Sequence, residues 1–152
     1  MVTLLEINKA IDDRIKTAKS GTEFSTVPIV AEDVSEPIVR PSLKVNIEYG
    51  SNNKFNSNCR EKNLTCRIYF FAKDRNKYKF DNAKMQDIFE NAFLEDLEIK
   101  ESFFVSIDNF ESEVSDTVLI CSFDLLVVEL LPDTDPVDIE LMEEIKLEME
   151  SE

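Results

Sequence analysis

From Thr117 to Leu131 the chain is apolar at nearly every step. Leu119, Cys121, Phe123, Leu125 and Val127 fall on one face of an extended strand, and Val118, Ile120, Leu126 and Val128 fill much of the other. Side chains alternate across a strand, so a segment apolar on both faces belongs inside a sheet with something covering each side. Pro132 stops it, because proline cannot donate to a ladder. The rest of the chain must therefore supply flanking strands and the layers that cover them.

Two helices answer that need. Thr3 as N-cap with Glu6 three residues on forms a capping box, and Leu4, Ile7, Ile11, Ile15 and Ala18 make one apolar stripe ending at Gly21. Lys9, Asp12, Asp13, Arg14 and Lys16 occupy the opposite, solvent-facing side. Later, Asp81 is placed to cap a helix whose Met85, Ile88, Phe89, Ala92 and Phe93 follow core-facing spacing.

Between and after the helices the period is two. Phe24–Ala31 is strand-like, but Pro28 makes it an edge or distorted strand. Leu43, Val45, Ile47 and Tyr49 alternate with Lys44, Asn46 and Glu48 up to Gly50. The polar stretch from Ser51 to Asn63 suits a flexible hairpin tip, and Cys66, Ile68 and Phe70 mark a strand over Leu64–Ala72. A basic turn runs from Lys73 to Lys79; Leu97–Ile107 reads as a strand, with a turn at Asp108-Asn109. The expected order is α-β-β-β-α-β-β-α, an α+β fold with a mainly antiparallel or mixed sheet of about four or five strands and helices packed on it. Residues 1–131 form a single α+β domain on this reading, followed by an acidic helical tail over 132–152. That tail begins with Asp135 as N-cap and Pro136 in the first turn, and Val137, Leu141, Ile145 and Met149, four apart, give a narrow apolar stripe with Met142 beside it.

Composition narrows the function. The 152 residues carry 17 basic and 32 acidic side chains, a net charge of −15, and no His or Trp. The charge is divided: residues 1–94 hold 15 basic and 13 acidic side chains, whereas residues 95–152 hold 2 basic and 19 acidic. Net acidity argues against a free-standing nucleic-acid binder, which needs cations to displace phosphate counterions. Without His there is no Ser-His or Cys-His nucleophile pair, and no carboxylate stands beside a phosphate loop or a positioned base, so no enzyme, catalytic residue or cofactor is expected. Asp133, Asp135 and Glu144 imitate the ends of a calcium loop, but Val137 and Asp138 stand where an oxygen ligand and a glycine are required; no metal site is expected. Three cysteines without CxxC spacing fit a reducing compartment, with Cys66 and Cys121 as core thiols. The opening residues lack a basic secretory n-region, and no apolar run is long enough for a membrane span, so no membrane partner is expected.

Three stretches together resemble the phage tail terminator (tail completion) proteins of tailed phages, prophages and tail-like particles of Gram-positive bacteria. They are the opening helix LLEINKAIDDRIKTA with the extended piece FSTVPIV after it; the Pro-bracketed approach to the first regular strand, EPIVRPSLKVNIEYG; and the series RIYFF, DNAKMQDIFENAF and the strands ending at LLVVELLPDTDP. The resemblance implies a structural subunit, made in the host cytoplasm, that forms a ring, expected to be a hexamer, at the head-proximal end of the tail tube. It would bind itself, the tube protein and the head–tail connector, with DNA only as passing cargo. No family residue set maps onto the chain position by position, so contact candidates come from physics. Lys54, Phe55, Arg60, Lys73, Arg75, Lys77 and Lys79 are candidates for partner contact; Val137, Leu141, Ile145 and Met149 for subunit packing; and Glu143, Glu144, Glu148 and Glu150 for a lumen or rim that repels phosphate. Competing readings are another tail, connector or baseplate subunit, or an acidic inhibitor that mimics DNA.

Overall fold

The computed structural model describes residues 2–30 and 39–132. Its elements are α1 (Leu4–Lys19), β1 (Ser42–Lys54), β2 (Cys59–Phe71), α2 (Lys79–Ala92), β3 (Leu97–Lys100), β4 (Phe103–Ser115) and β5 (Val118–Leu130). The strands form one sheet in the order β1-β2-β5-β4-β3, and every adjacent pair is antiparallel. The α+β expectation holds, with β5 at the centre where its apolar sequence places it.

Both helices bury their apolar faces against one side of the sheet. Ile7, Ile11 and Ile15 of α1 and Met85 and Phe89 of α2 share a fully buried cluster with Ile68, Phe70, Leu119, Cys121, Phe123 and Leu125. Phe93 stacks on Phe123 with ring centroids 4.8 Å apart, and Phe24 meets Phe70 edge-on at 5.7 Å. The Thr3–Glu6 capping box is present at the start of α1. Arg14 is not on a solvent face: its guanidinium donates to the carbonyls of Ala92 at 2.7 Å and Asp96 at 2.8 Å. It thereby neutralises the negative end of α2, which has no basic residue in its last turn.

Several expectations are corrected. The stretch Ser51–Asn63 is no flexible tip; β1 and β2 continue through it, and the connection shrinks to Phe55–Asn58. Its polar residues stay extended because β2 pairs with β5 on its other side as far as Cys59↔Leu130. Among the described residues, Phe24–Ala31 contributes only a parallel bridge, Ile29↔Leu43, in which the Pro28 carbonyl accepts from Leu43. Asp81 lies inside the first turn of α2 rather than at its cap, which is Tyr78. The strand expected over Leu97–Ile107 is broken in two by a turn with Ser102 at φ 63°. Asp108-Asn109 is a β-bulge, not a turn: Asn109 takes φ 54° and points outward, which keeps Phe110 inward beside Phe93 at 6.1 Å. The actual β4–β5 turn is Asp116-Thr117, both with positive φ, as a two-residue hairpin loop requires. Finally, among the described residues β5 is covered on one face only. With both helices on the inner side, its outer residues Leu126, Val128 and Leu130 remain exposed.

Candidate interaction surfaces

The sheet carries its candidate contacts at opposite ends. At one end lie the β1–β2 connection, the last residues of β5 and the N-terminal Val2. Lys54 and Phe55 are exposed there, and Asn56 Oδ1 accepts from the backbone N–H groups of Asn58 and Cys59, both at 2.8 Å. The N–H of Leu131 donates to the carbonyl of Asn58 at 2.7 Å, which pins the departing chain to this connection. Arg60 is not a free surface cation. Directly across from Glu129 on the inner face, it ion-pairs with that carboxylate and donates to it through Nε at 2.6 Å. Glu129 also accepts from the backbone N–H of Val2 at 3.0 Å. Burial alone would raise the Glu129 pKa, but the Val2 N–H and the Arg60 guanidinium outweigh it and hold the carboxyl below its ordinary value.

At the other end, ~40 Å away along strands of this length, are the Lys73–Lys79 turn and the β4–β5 loop. Lys73, Arg75, Lys77 and Lys79 are all exposed, next to an almost fully exposed Phe80. Arg75 approaches Asp116 at 3.7 Å with both side chains in solvent, an arrangement that contributes little to stability. Lys73, Arg75, Lys77 and Lys79 thus lie together in one turn, while Lys54, Phe55 and Arg60 lie at the opposite end of the sheet.

The outer face of the sheet joins the two ends and changes character along its length. Toward the basic end Arg67 pairs with Glu48 at 2.9 Å, and Tyr69 donates to the same carboxylate. In the middle, Asp124 accepts from Thr65 at 2.8 Å and Asn109 at 3.0 Å, and stands directly opposite Asp108. Beyond it β5 and β4 expose Leu126, Val128, Leu130 and Phe104, with Glu61 and Asn63 of β2 directly across from Val128 and Leu126 on the same face. The sequence pattern places each of the four apolar residues in a strand, but periodicity alone cannot tell an uncovered apolar face from a covered one.

Two further features are structural. A groove of about 500 Å³ between α1 and β3 is lined by Glu6, Lys9, Asp13, Arg14 and Leu97, and Arg14 is already committed to backbone carbonyls. Among the described residues, no cluster of His, Cys, Asp and Glu could hold a metal ion, and no helix is long and apolar enough to cross a membrane. The expected packing stripe Val137, Leu141, Ile145 and Met149 and the acidic set Glu143, Glu144, Glu148 and Glu150 lie outside the described residues.

Residues 6–137 match the family described as phage tail terminator protein. The chain belongs to the phage tail terminator family. The match spans every strand of the sheet and nearly all of α1, and family members are structural components of the virion tail that contact other tail and head-connector proteins. No curated protein matches the chain. For a tail terminator, a sheet with different chemistry at its two ends is a natural frame, since such a subunit meets other tail and head-connector proteins.

Proposed function

We propose that this terminator subunit forms a ring, a hexamer, that seats on the head-proximal end of the tail tube, stops tube polymerisation and presents the surface on which the head connector docks. The observation that supports it best is the two-ended sheet: an exposed basic turn with Phe80 at one end, Lys54 and Phe55 at the other. A ring closed by rotation uses head-to-tail interfaces. Strand β1 offers one, because among the described residues only Leu43 is bonded on its outer side and the remaining backbone to Lys54 borders no named strand. The 133–152 segment, with nine carboxylates and one lysine, supplies a wall that DNA passes without adhering.

Light scattering and negative-stain imaging of the purified 17.5 kDa chain, alone and mixed with its tube protein, test the reading. The expected result is a closed ring of several subunits, and tubes that stop growing when it is added. Unlimited tube growth with the chain unbound would overturn it.

A further inference from the structure

We infer that the acidic outer edge of β4 takes strand β1 of a second copy of this chain. The inference rests on the ring proposed above and names the surface that meets β1 in it. Strand β3 borders β4 only at Phe103–Val105. From Ser106 to Ser115, among the described residues, the backbone of β4 bonds to β5 and to no other segment. Exposure agrees: Glu111, Glu113 and Ser115 are open to solvent, and Val114 is 50% exposed. Among the described residues the sheet therefore has two long unpaired edges, this one and Val45–Lys54 of β1.

Charge distinguishes the two edges. Strand β4 carries Asp108, Glu111 and Glu113 and no Lys or Arg, with Asp116 in the loop beyond it, where Arg75 approaches at 3.7 Å. Two such edges side by side would set like charges against each other, so β4 is a poor partner for itself. Strand β1 carries Lys44 and Lys54 against one acid, Glu48, which Arg67 already holds at 2.9 Å. Glu61, one strand further in, opposes this attraction, but it stands across from Asn53 at the far end of β1.

Direction and face agree as well. Three antiparallel steps separate β1 from β4, so the two run in opposite senses within a subunit. Rotation about an axis along the strands preserves those senses, and β1 of one copy meets β4 of the next antiparallel. Setting Val45 opposite Val114 puts both apolar side chains on the helix side, since they pair at home with the buried Ile68 and Leu119. Asn46 then meets Glu113 on the outer side, and Lys44 lies diagonal to Glu113, within reach of its carboxylate. Each strand has one extra residue, after Ile47 in β1 and after Asp108 in β4, and in this alignment the two bulges lie abreast. The register therefore survives them, with Ser51 opposite Asp108. The alignment stops at Leu43, whose outer side bonds to Pro28 and Val30.

Thiol cross-linking tests the contact in the full chain, alone and with its tube protein. In a Cys59→Ser background, N46C and E113C chains are mixed and mildly oxidised. A disulfide joining one chain of each kind should form about tenfold faster than N46C to N46C or E113C to E113C, because the ring holds that pair at high effective concentration. S51C mixed with D108C repeats the test beyond the bulges, and Glu111→Lys in the E113C chain should slow the mixed disulfide. Cross-links only between like chains would overturn the inference in favour of a symmetric contact. Light scattering and negative-stain imaging of the same samples read ring formation separately. A closed ring with no mixed cross-link at either pair overturns the edge pairing and leaves the ring standing. Mixed cross-links in open chains support the pairing and count against the ring, and the absence of both overturns both.

Discussion

Glu129 and Arg60 show what single side chains contribute at the end of the core. The folded state favours the Glu129 carboxylate, so its contribution is fully present at neutral pH and is lost as pH falls through and below the ordinary carboxylate range. Glu129→Gln strands the Arg60 charge and should cost about 3 kcal/mol in urea unfolding at neutral pH, with the gap to wild type closing in acid. The cysteines separate in the same way. Burial pushes Cys66 up to about 12 and Cys121 up to about 11, so neither provides thiolate near neutrality. A thiol reagent added to the native chain should therefore modify one cysteine, Cys59, and release of the other two should track unfolding. Both core assignments are readable from the sequence, because Cys66 and Cys121 sit in phase with Phe70 and Phe123. The fate of Arg60 is not, since the pair with Glu129 spans 69 residues and depends on strand register.

At the level of elements, the legible parts are those whose signal is local. The stripe and capping box of α1 are complete within a few turns, and Thr3→Ala should lower stability by about 1 kcal/mol in thermal or chemical unfolding. The β4–β5 hairpin escapes a sequence reading because its loop residues, Asp116 and Thr117, include no glycine. Thr117 holds φ 71° with a buried hydroxyl that finds no hydrogen-bond partner among the described residues. Thr117→Gly removes both penalties and should raise the denaturation midpoint, by about 1 kcal/mol in stability; a loss would mean that the hydroxyl has a partner such as bound water. The polar run Ser51–Asn63 illustrates the opposite limit. Nothing in its composition favours a strand, and it is extended because pairing with β5 on the far side imposes it.

For the whole molecule, the two ends of the sheet make separable predictions. Reversing Lys73 and Lys77 to Glu should leave folding unchanged, since both are exposed, while weakening whichever tail or connector contact that end makes; pull-down at low and high salt measures it. Placing the contacts needs the fold, because Lys54 and Lys73 come from elements whose separation in space the sequence does not state. Among the described residues the outer edge of β1 beyond Leu43 is uncovered, which matters before any partner is met. A long unpaired strand invites indiscriminate pairing with any other chain, and this one ends in Ser51-Asn52-Asn53-Lys54, residues poor at forming such ladders. The same edge thus works as a safeguard for newly made copies. Replacing Asn52 and Asn53 with valine should leave a chain that folds yet precipitates as open fibres, visible by electron microscopy, at concentrations where the parent stays clear.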